Sequence, residues 1–179
     1  MLSIIIATYN SADTISAALE SVYMQTLQDW ECIIADGMSS DNTLQIVADY
    51  EKKDRRFHHF SGRDSGVFDA LNKGVERAKG DWIYVLGSDD ELTKEGLYNL
   101  LKEMGNDIVV GYGDAIAIYP DGRTRTIWTK PVNYMKYNMI TSHQAMIVRK
   151  DIMEEFGCFD LQFKLCADFD LFQKIYLSG

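Results

Sequence analysis

The sequence predicts an α/β fold in which helices flank a mainly parallel sheet. Within the first 104 residues, short apolar runs alternate four times with amphipathic stretches. Parallel sheets require this order, because a helix usually carries the chain back between neighbouring strands. After residue 105 the alternation gives way to two runs around Pro120-Asp121-Gly122, which has the composition of a hairpin turn. A length of 179 residues suits one domain, and we expect two halves, 1–104 and 105–179.

Four strands and four helices are expected in the first half. Leu2 to Ala7 is a nearly continuous apolar run, as in a strand that is covered on both faces. The other expected strands are 32–35, 56–60 and 82–86. Apolar residues spaced three and four apart predict helices over 15–22, 43–50, 67–78 and 97–104. We expect Ser11 or Asp13 to cap the first helix and Gly80 to follow the third.

The second half is predicted to be less regular. Its hairpin arms are expected over 108–119 and 123–129. An aromatic and methionine-rich connector at 134–139 follows, and we expect it to pack in the core rather than contact lipid. A short strand at 145–148 and helical segments near 151–156 and 168–178 complete the chain.

The composition excludes several classes of protein. Eighteen basic and 27 acidic side chains give a net charge of −9, which disfavours nucleic acid as a partner. The three cysteines are odd in number and lack CxxC spacing, so neither a disulfide scaffold nor a zinc site is indicated. The N-terminus has no basic signal region, and we expect a cytoplasmic protein with buried thiols. A cation held by carboxylates could still bind a phosphorylated small molecule.

Polar clusters follow three of the predicted strands, where open parallel sheets bind their ligands. They are Thr8-Tyr9-Asn10, Asp36-Gly37 and Ser88-Asp89-Asp90. Each could simply turn the chain or cap a helix. Three such clusters at corresponding strand ends would meet in one crevice, which favours a binding site.

Two common nucleotide motifs are missing from the sequence. No GxGxxG follows the first strand and no GxxxxGK[ST] occurs anywhere. Phosphate binding would therefore depend on a cation. Asp89 and Asp90 supply hard oxygen ligands on a short loop, which suit Mg²⁺ or Mn²⁺.

Seven segments carry a family resemblance: Thr8-Tyr9-Asn10, Asp36 to Thr43, Asp64 to Gly74, Gly87 to Asp90, His143-Gln144-Ala145, Gly157 to Asp160, and Ala167 to Leu171. Taken in order, they resemble the family 2 glycosyltransferases, and Asp64 to Gly74 resembles the subgroup that builds bacterial exopolysaccharide, O-antigen and colanic-acid-type glycans. The resemblance implies the GT-A fold, a Rossmann-like sheet, and a sugar donor that is a nucleotide-diphosphate sugar.

The resemblance also assigns roles. It implies an inverting transfer, in which Asp168 is the general base that takes the acceptor's proton while the metal holds the leaving diphosphate. Asp89 and Asp90 would hold Mn²⁺ or Mg²⁺, and His143 and Gln144 would meet the diphosphate or the acceptor. The residues implied to contact the nucleotide sugar are Thr8, Tyr9, Asn10, Asp36, Asp64, Asn72, Lys73, Ser88 and Asp89.

Two positions depart from the family pattern. Gly87 stands where the usual D-x-D has its first aspartate, so the choice between Asp89 and Asp90 as metal ligand stays open. Ala167 replaces the glutamate of the family's Glu-Asp pair, and Asp168 has a second interpretation as a helix N-cap.

The family also implies where the protein works. Its acceptor would be a glycan or a polyprenyl-diphosphate-linked precursor at the inner face of the membrane, which leaves room for peripheral membrane association. The chain ends soon after Asp168, so we expect a truncated or short member that binds donor but transfers poorly. A binding module without turnover and a nucleotidyltransferase on a similar fold stay open. The oligomeric state is not predicted.

Overall fold

The computed structural model describes residues 1–105 and 107–179. The first half of the chain alternates strands and helices. The second half adds antiparallel strands and ends in a helix. In chain order the elements are β1 (Leu2–Thr8), α1 (Ile15–Tyr23), β2 (Trp30–Asp36), α2 (Thr43–Lys53), β3 (Phe57–Ser61), α3 (Val67–Arg77), β4 (Trp82–Val85), α4 (Gly96–Leu101), β5 (Val110–Tyr112), β6 (Ala115–Ile118), β7 (Thr124–Ile127), a 3-10 helix (Val132–Lys136), a second 3-10 helix (His143–Ala145), β8 (Met146–Arg149), α5 (Lys150–Glu155) and α6 (Ala167–Leu177).

Six of the strands form one sheet in the order β3-β2-β1-β4-β8-β5. The first four run parallel, and β8 runs antiparallel to both β4 and β5. Thr8 is paired with Asp36 in the register of β1 and β2, so the ends of these strands lie side by side. The predicted mainly parallel α/β fold is confirmed.

Helices cover both faces of the sheet and bury nearly all of its central strand, β1. Helices α1, α2 and α4 pack on one face against Leu2, Ile4 and Ile6, and α3, α5 and α6 pack on the other against Ile5. Every residue from 2 to 6 is buried, which explains why β1 reads as continuously apolar rather than alternating.

The late hairpin differs from its prediction. The first arm, expected over 108–119, is divided into β5, which joins the main sheet beside β8, and β6, which pairs only with β7. The break lies at Gly113 and Asp114: the Gly113 amide donates to the Ala145 carbonyl (2.9 Å), and the Asp114 side chain accepts from the Thr129 amide (2.7 Å). Long-range pairing with β8 therefore cuts a run that looks uniform in the sequence.

Two smaller expectations were wrong. Neither Ser11 nor Asp13 caps α1 with its side chain, because the Ser11 carbonyl accepts the first amides of the helix instead. The connector at 134–139 was expected to lie in the core, but Met135 is buried while Tyr137 is 82% exposed. A 3-10 helix has three residues per turn, so only about one side chain in three can point inward.

Candidate functional site

The polar clusters that follow β1, β2 and β4 meet at one edge of the sheet. The Gly37 amide donates to the Thr8 carbonyl at 2.9 Å, which ties the loop after β2 to the end of β1. The hydroxyls of Ser11 and Ser88 lie 3.0 Å apart, so the loop after β4 reaches the same place. The fold thus brings together, at the carboxyl edge of the sheet, residues that are 77 positions apart in sequence.

Asp36 is buried and its carboxylate is fully engaged by the protein. It is 1% exposed and accepts hydrogen bonds from the Ser39 amide (3.0 Å), the Ser39 hydroxyl and the Ser61 hydroxyl (2.6 Å). A buried carboxylate needs such partners to offset its desolvation. Asp36, assigned to the nucleotide by the resemblance, therefore holds the loop after β2 in this structure.

Asn10 contributes to the same loop. Its side-chain oxygen accepts from the Ser40 backbone amide at 2.8 Å, and the Asn10 backbone amide donates to the Ser39 hydroxyl at 2.8 Å. Asn10 adopts a positive φ of 50°, a conformation that asparagine tolerates better than most residues. Asn10 thus fixes the path of the chain after β1.

Tyr9 and Asp64 form an accessible pair beside Gly37. The Tyr9 ring is 65% exposed, and Asp64 is exposed in the loop before α3. A Cβ placed on Gly37 would lie 2.7 Å from Asp64 Oδ2 and 3.5 Å from Tyr9 Cδ2, so the glycine makes room for both side chains. Asp64 Oδ1 accepts from the Gly66 amide at 3.0 Å, which leaves Oδ2 directed at this space.

Thr8 adds a polar atom without a partner. Its side chain is 5% exposed, and its hydroxyl has no hydrogen-bond partner in residues 1–105 and 107–179. Buried hydroxyls in native proteins are nearly always satisfied. The unpaired oxygen lies at the end of β1, on the residue before Tyr9.

Asp89 and Asp90 converge on Gly87. A Cβ at Gly87 would lie 3.0 Å from Asp89 Oδ1 and 2.4 Å from Asp90 Oδ2, so the two carboxylates approach the same point. Neither carboxylate accepts a hydrogen bond or pairs with a cation among the residues described. No third acidic, histidine or cysteine side chain joins them in the described chain. Two hard oxygen donors fit Mg²⁺ or Mn²⁺, which keep further positions for water and substrate phosphate.

Asn72 and Lys73, two residues on α3 that were expected to contact the donor, make hydrogen bonds within the protein. The Asn72 side chain donates to the Phe159 carbonyl at 2.8 Å and accepts from the Phe159 amide at 3.0 Å. Lys73 contacts Asp69 at 3.1 Å and the Arg63 carbonyl at 2.8 Å. Asn72 therefore joins α3 to the segment before α6, and Lys73 steadies the loop that carries Asp64.

His143 and Asp168 form a hydrogen-bonded pair. His143 Nδ1 lies 3.1 Å from Asp168 Oδ2, and the Asp168 side chain is 16% exposed. Burial raises the pKa of Asp168, but the hydrogen bonds from His143 and from the Phe169 amide outweigh it, so the pKa falls below its ordinary value of 3.8. Asp168 is thus an ionised, partly accessible carboxylate. Asp170 is not part of this pair, because it lies 2.6 Å from Lys174.

Tyr84 links β4 to the segment that carries His143. Its hydroxyl donates to the carbonyl of Gln144, the residue after His143. Burial raises the pKa of Tyr84, and the negative charge of Asp90 raises it further. Sequence reasoning treated Tyr84 only as a strand residue. Its position three residues before the Gly87 turn was the signal that could have drawn attention to it.

A narrow apolar cavity runs beneath the pair of His143 and Asp168. Its volume is about 20 Å³, and Phe68, Leu71 and Val85 are among its lining residues. Sugar and nucleotide sites are typically about 300 Å³ or more. This cavity is therefore too small to hold a nucleotide sugar.

A sheet of this topology with acidic loops at its carboxyl edge defines a class: the chain has the GT-A fold of glycosyltransferases. Residues 3–164 match the sequence profile described as Glycosyl transferase family 2. The chain belongs to this family, which confirms the resemblance.

Two relatives whose names identify them as glycosyltransferases support the same class. The chain is 34% identical over 177 residues to a PGL/p-HBAD biosynthesis glycosyltransferase of Mycobacterium bovis, with 95% of this chain and 67% of the relative covered. It is 39% identical over 105 residues to the putative teichuronic acid biosynthesis glycosyltransferase TuaG of Bacillus subtilis, covering 58% and 42%. These names fit the predicted polysaccharide subgroup.

Solved structures share the fold. The 1–349 part of S. aureus TarS in complex with UDP-GlcNAc superposes with a TM-score of 0.73 at 21% identity, covering 98% of this chain and 53% of that TarS fragment. The mannosyltransferase PcManGT of Pyrobaculum calidifontis, in complex with GDP-Man and Mn²⁺, gives 0.69 at 19% identity, covering 89% of this chain and 47% of the PcManGT chain. The chain thus spans about half the length of these two solved chains. In the described part of the chain, no helix is both long and apolar enough to span a bilayer.

Proposed function

We propose that this domain transfers a sugar, with inversion, from a nucleotide-diphosphate sugar to a hydroxyl of a cell-surface glycan precursor. The observation that carries the proposal is the pair of acidic groups that the fold presents. The carboxylates of Asp89 and Asp90 converge beside Gly87 without a partner among the described residues, and Asp168 is held ionised by His143. The Tyr84 hydroxyl, on the strand that leads to Gly87, donates to the carbonyl of Gln144, the residue after His143. Residues 1–104 would bind the donor, and 105–179 would face the acceptor.

The donor site is proposed at the carboxyl edge of β1 and β4. Tyr9 offers an exposed ring on which a base can stack, and Asp64 Oδ2 can accept from ribose or base. The unpaired Thr8 hydroxyl and the Ser88 hydroxyl add hydrogen-bonding groups beside them. The donor complexes of TarS and PcManGT support a nucleotide sugar as the ligand class.

Asp89 and Asp90 would hold the Mn²⁺ or Mg²⁺. When bound, the cation supplies positive charge that stabilises the leaving diphosphate. The Mn²⁺ complex of PcManGT supports a cation in this fold. Asp36 and Asn10 would act indirectly, by holding the loop after β2 in place.

Asp168 is proposed as the general base. The acceptor oxygen forms its bond to C1 of the sugar while the bond from C1 to the diphosphate oxygen breaks, and Asp168 takes the acceptor's proton. The nucleoside diphosphate leaves with the electron pair of the broken bond. His143 would orient the carboxylate and keep it ionised, as its hydrogen bond to Oδ2 indicates.

The acceptor is proposed to be a glycan or a polyprenyl-diphosphate-linked precursor. The names of the relatives, which include a cholesterol galactosyltransferase of Borreliella burgdorferi, support acceptors that belong to lipids and cell-wall polymers. A peripheral position at the inner face of the membrane would bring the enzyme to such acceptors.

Replacing Asp168 with Asn tests the proposal. Nucleoside diphosphate release from a panel of UDP- and GDP-sugars with Mn²⁺ should fall about 100-fold or more, within the range for losing a general base. Calorimetric donor binding should be unchanged. Asp170→Asn is the matched control and should keep its rate, because Asp170 pairs with Lys174 instead.

Three other results would contradict the proposal. Equal rates in the Asp168→Asn variant and the parent would remove Asp168 from the mechanism. Donor binding without any sugar transfer would indicate a binding module. Release of pyrophosphate from a nucleoside triphosphate would indicate a nucleotidyltransferase.

A further inference from the structure

One hydrogen bond between side chains joins the loop after β1 to the turn that carries the proposed cation ligands. The Ser11 hydroxyl lies 3.0 Å from the Ser88 hydroxyl, across 77 positions of sequence, and the pair is partly buried. Ser11 was expected only as a helix cap, but its side chain does not cap α1. Its hydroxyl has its partner in the loop after β4 instead.

The turn from Gly87 to Asp90 has few other restraints. The Asp90 amide donates to the Gly87 carbonyl at 3.2 Å, which closes the turn on itself. Among the residues that the structure describes, only the hydrogen bond of Ser88 joins residues 87–91 to another part of the chain. The position of the Asp89 and Asp90 carboxylates relative to the loop after β1 therefore depends on Ser88.

Ser11 itself is held from the other side. Its backbone amide donates to the hydroxyl of Thr43, a completely buried residue at the start of α2, at 2.8 Å. That hydroxyl donates in turn to the Asp41 carboxylate at 2.6 Å. The Ser11 carbonyl accepts from the amides of Thr14 (3.1 Å) and Ile15 (2.9 Å) where α1 begins. Because these bonds use the backbone of Ser11, they fix the residue without engaging its side chain.

We propose that Ser11 is a positioning residue for the proposed cation site. Its hydroxyl holds Ser88, which directly precedes Asp89 and Asp90, the two carboxylates that converge on Gly87. A group that orients metal ligands from behind changes cation affinity without touching the cation. The inference rests on the proposed function for the cation that these carboxylates would bind.

Ser11→Ala tests the role of the hydroxyl and keeps the backbone bonds of residue 11. In calorimetry with Mn²⁺, UDP and GDP serve as probes, and whichever binds the parent should bind Ser11→Ala about tenfold more weakly. Ser11→Thr keeps a hydroxyl and should restore most of the affinity. A hydroxyl that served only the stability of the fold would leave the affinity unchanged, and this result would overturn the proposal.

Thr14→Ala is the matched control in the same loop. The Thr14 side chain is exposed and donates to the Ser11 carbonyl at 3.4 Å, and it makes no capping bond to α1. The variant should therefore bind the nucleotide with Mn²⁺ like the parent. Equal weakening in Thr14→Ala and Ser11→Ala would assign the effect to the whole loop and contradict a specific role of the Ser11 hydroxyl.

A double-mutant cycle tests the contact between the two serines. Ser88→Ala removes the group that Ser11 holds. In this background Ser11→Ala should cause no further loss of affinity, because residues in contact are not independent. Losses that add up in the double variant would show that the two hydroxyls act separately, against the proposal.

Amide NMR signals of the cation-free protein test the positioning without any ligand. The signals of residues 87–91 should shift in Ser11→Ala, although Ser88 lies 77 positions away in sequence, and should stay in place in Thr14→Ala. Unchanged signals in Ser11→Ala would overturn the inference. If neither nucleotide bound the parent, the proposed function would be contradicted, and these spectra alone would decide whether Ser11 positions the turn.

Discussion

At the scale of single residues, the arrangement around Asp168 explains how a carboxylate in a partly buried position can accept a proton. Burial alone would favour its neutral form. The hydrogen bonds from His143 and the Phe169 amide reverse this effect, so the pKa lies below 3.8 and the group is ionised at neutral pH. His143 is thus a positioning residue in the proposed reaction.

This pair makes a prediction about pH. Because the pKa of Asp168 is lowered on folding, its ionised form adds stability above pH 3.8, and this is lost as the pH falls through the lower folded value. His143→Ala removes the principal opposing contact, so the pKa of Asp168 should rise and the acidic limb of sugar transfer should move to higher pH. His143→Gln keeps a hydrogen-bond donor and should shift the acidic limb less.

Carbon-13 NMR of aspartate-labelled protein would report the pKa directly. The Asp168 carboxyl signal is the one that is missing from the Asp168→Asn spectrum. The midpoint of its titration should move to higher pH in His143→Ala. Unchanged titrations in both histidine variants would show that the contact does not govern the ionisation of Asp168.

Gly87 is the second residue whose geometry has a measurable consequence. A Cβ there would approach Asp90 Oδ2 to 2.4 Å and Asp89 Oδ1 to 3.0 Å, so Gly87→Ala must displace the carboxylates. Cation-dependent donor binding should weaken by about tenfold to a hundredfold, the usual effect of misplacing metal ligands. Gly105→Ala, where a Cβ would meet nothing within 4 Å, should bind like the parent. Equal affinities in the two variants would contradict the placement of the cation.

At the scale of elements, apolar periodicity was sufficient to predict the alternating first half. Strand β1 and helices α1 to α3 lie within a few residues of their predicted positions, because each buries one face against the same sheet. The late strands were harder to predict. The pairing of Gly111 with Ile147 depends on a partner 36 residues away, and no local pattern reveals it.

The residues of the candidate site also fall into those that the sequence predicts and those that it does not. Topology alone predicts that the loops after β1, β2 and β4 meet, so Tyr9, Asp36 and Asp89 could be found from the sequence. Asp64, in the loop after β3, was implied only by the family resemblance. The contact of His143 with Asp168 joins two elements whose packing the sequence does not determine. The sequence also does not show which side chains are already hydrogen-bonded within the protein. The Asp36 carboxylate, which accepts from Ser39 and Ser61, is an example.

The packing of α3 on β1 gives a prediction about stability. A Cβ at Gly74 would lie 2.4 Å from Ile5 Cγ2, in the buried core. Gly74→Ala should therefore lower the free energy of unfolding by about 1–3 kcal/mol, the usual cost of overpacking. Gly62→Ala, which meets nothing within 4 Å, is the control and should change it by less than about 0.5 kcal/mol. Urea denaturation measures both, and an unchanged Gly74→Ala midpoint would show that the helix can move away.

At the scale of the whole molecule, charge is unevenly distributed. The net charge of −9 excludes a broad anion-binding surface, yet some of the acidic residues would be the phosphate site, acting through a cation. The basic stretch at 122–150 lies on the proposed acceptor side instead.

The measurement that tests the central claim most directly is calorimetry of nucleotide-sugar binding, with Mn²⁺ and again with EDTA. UDP- and GDP-sugars form the panel, and the Asp89→Asn, Asp90→Asn double variant is compared with the parent. We expect at least one donor to bind with Mn²⁺, and that binding to disappear in EDTA and in the double variant. No binding of any donor, or equal binding under all three conditions, would contradict a cation-dependent donor site at this edge of the sheet.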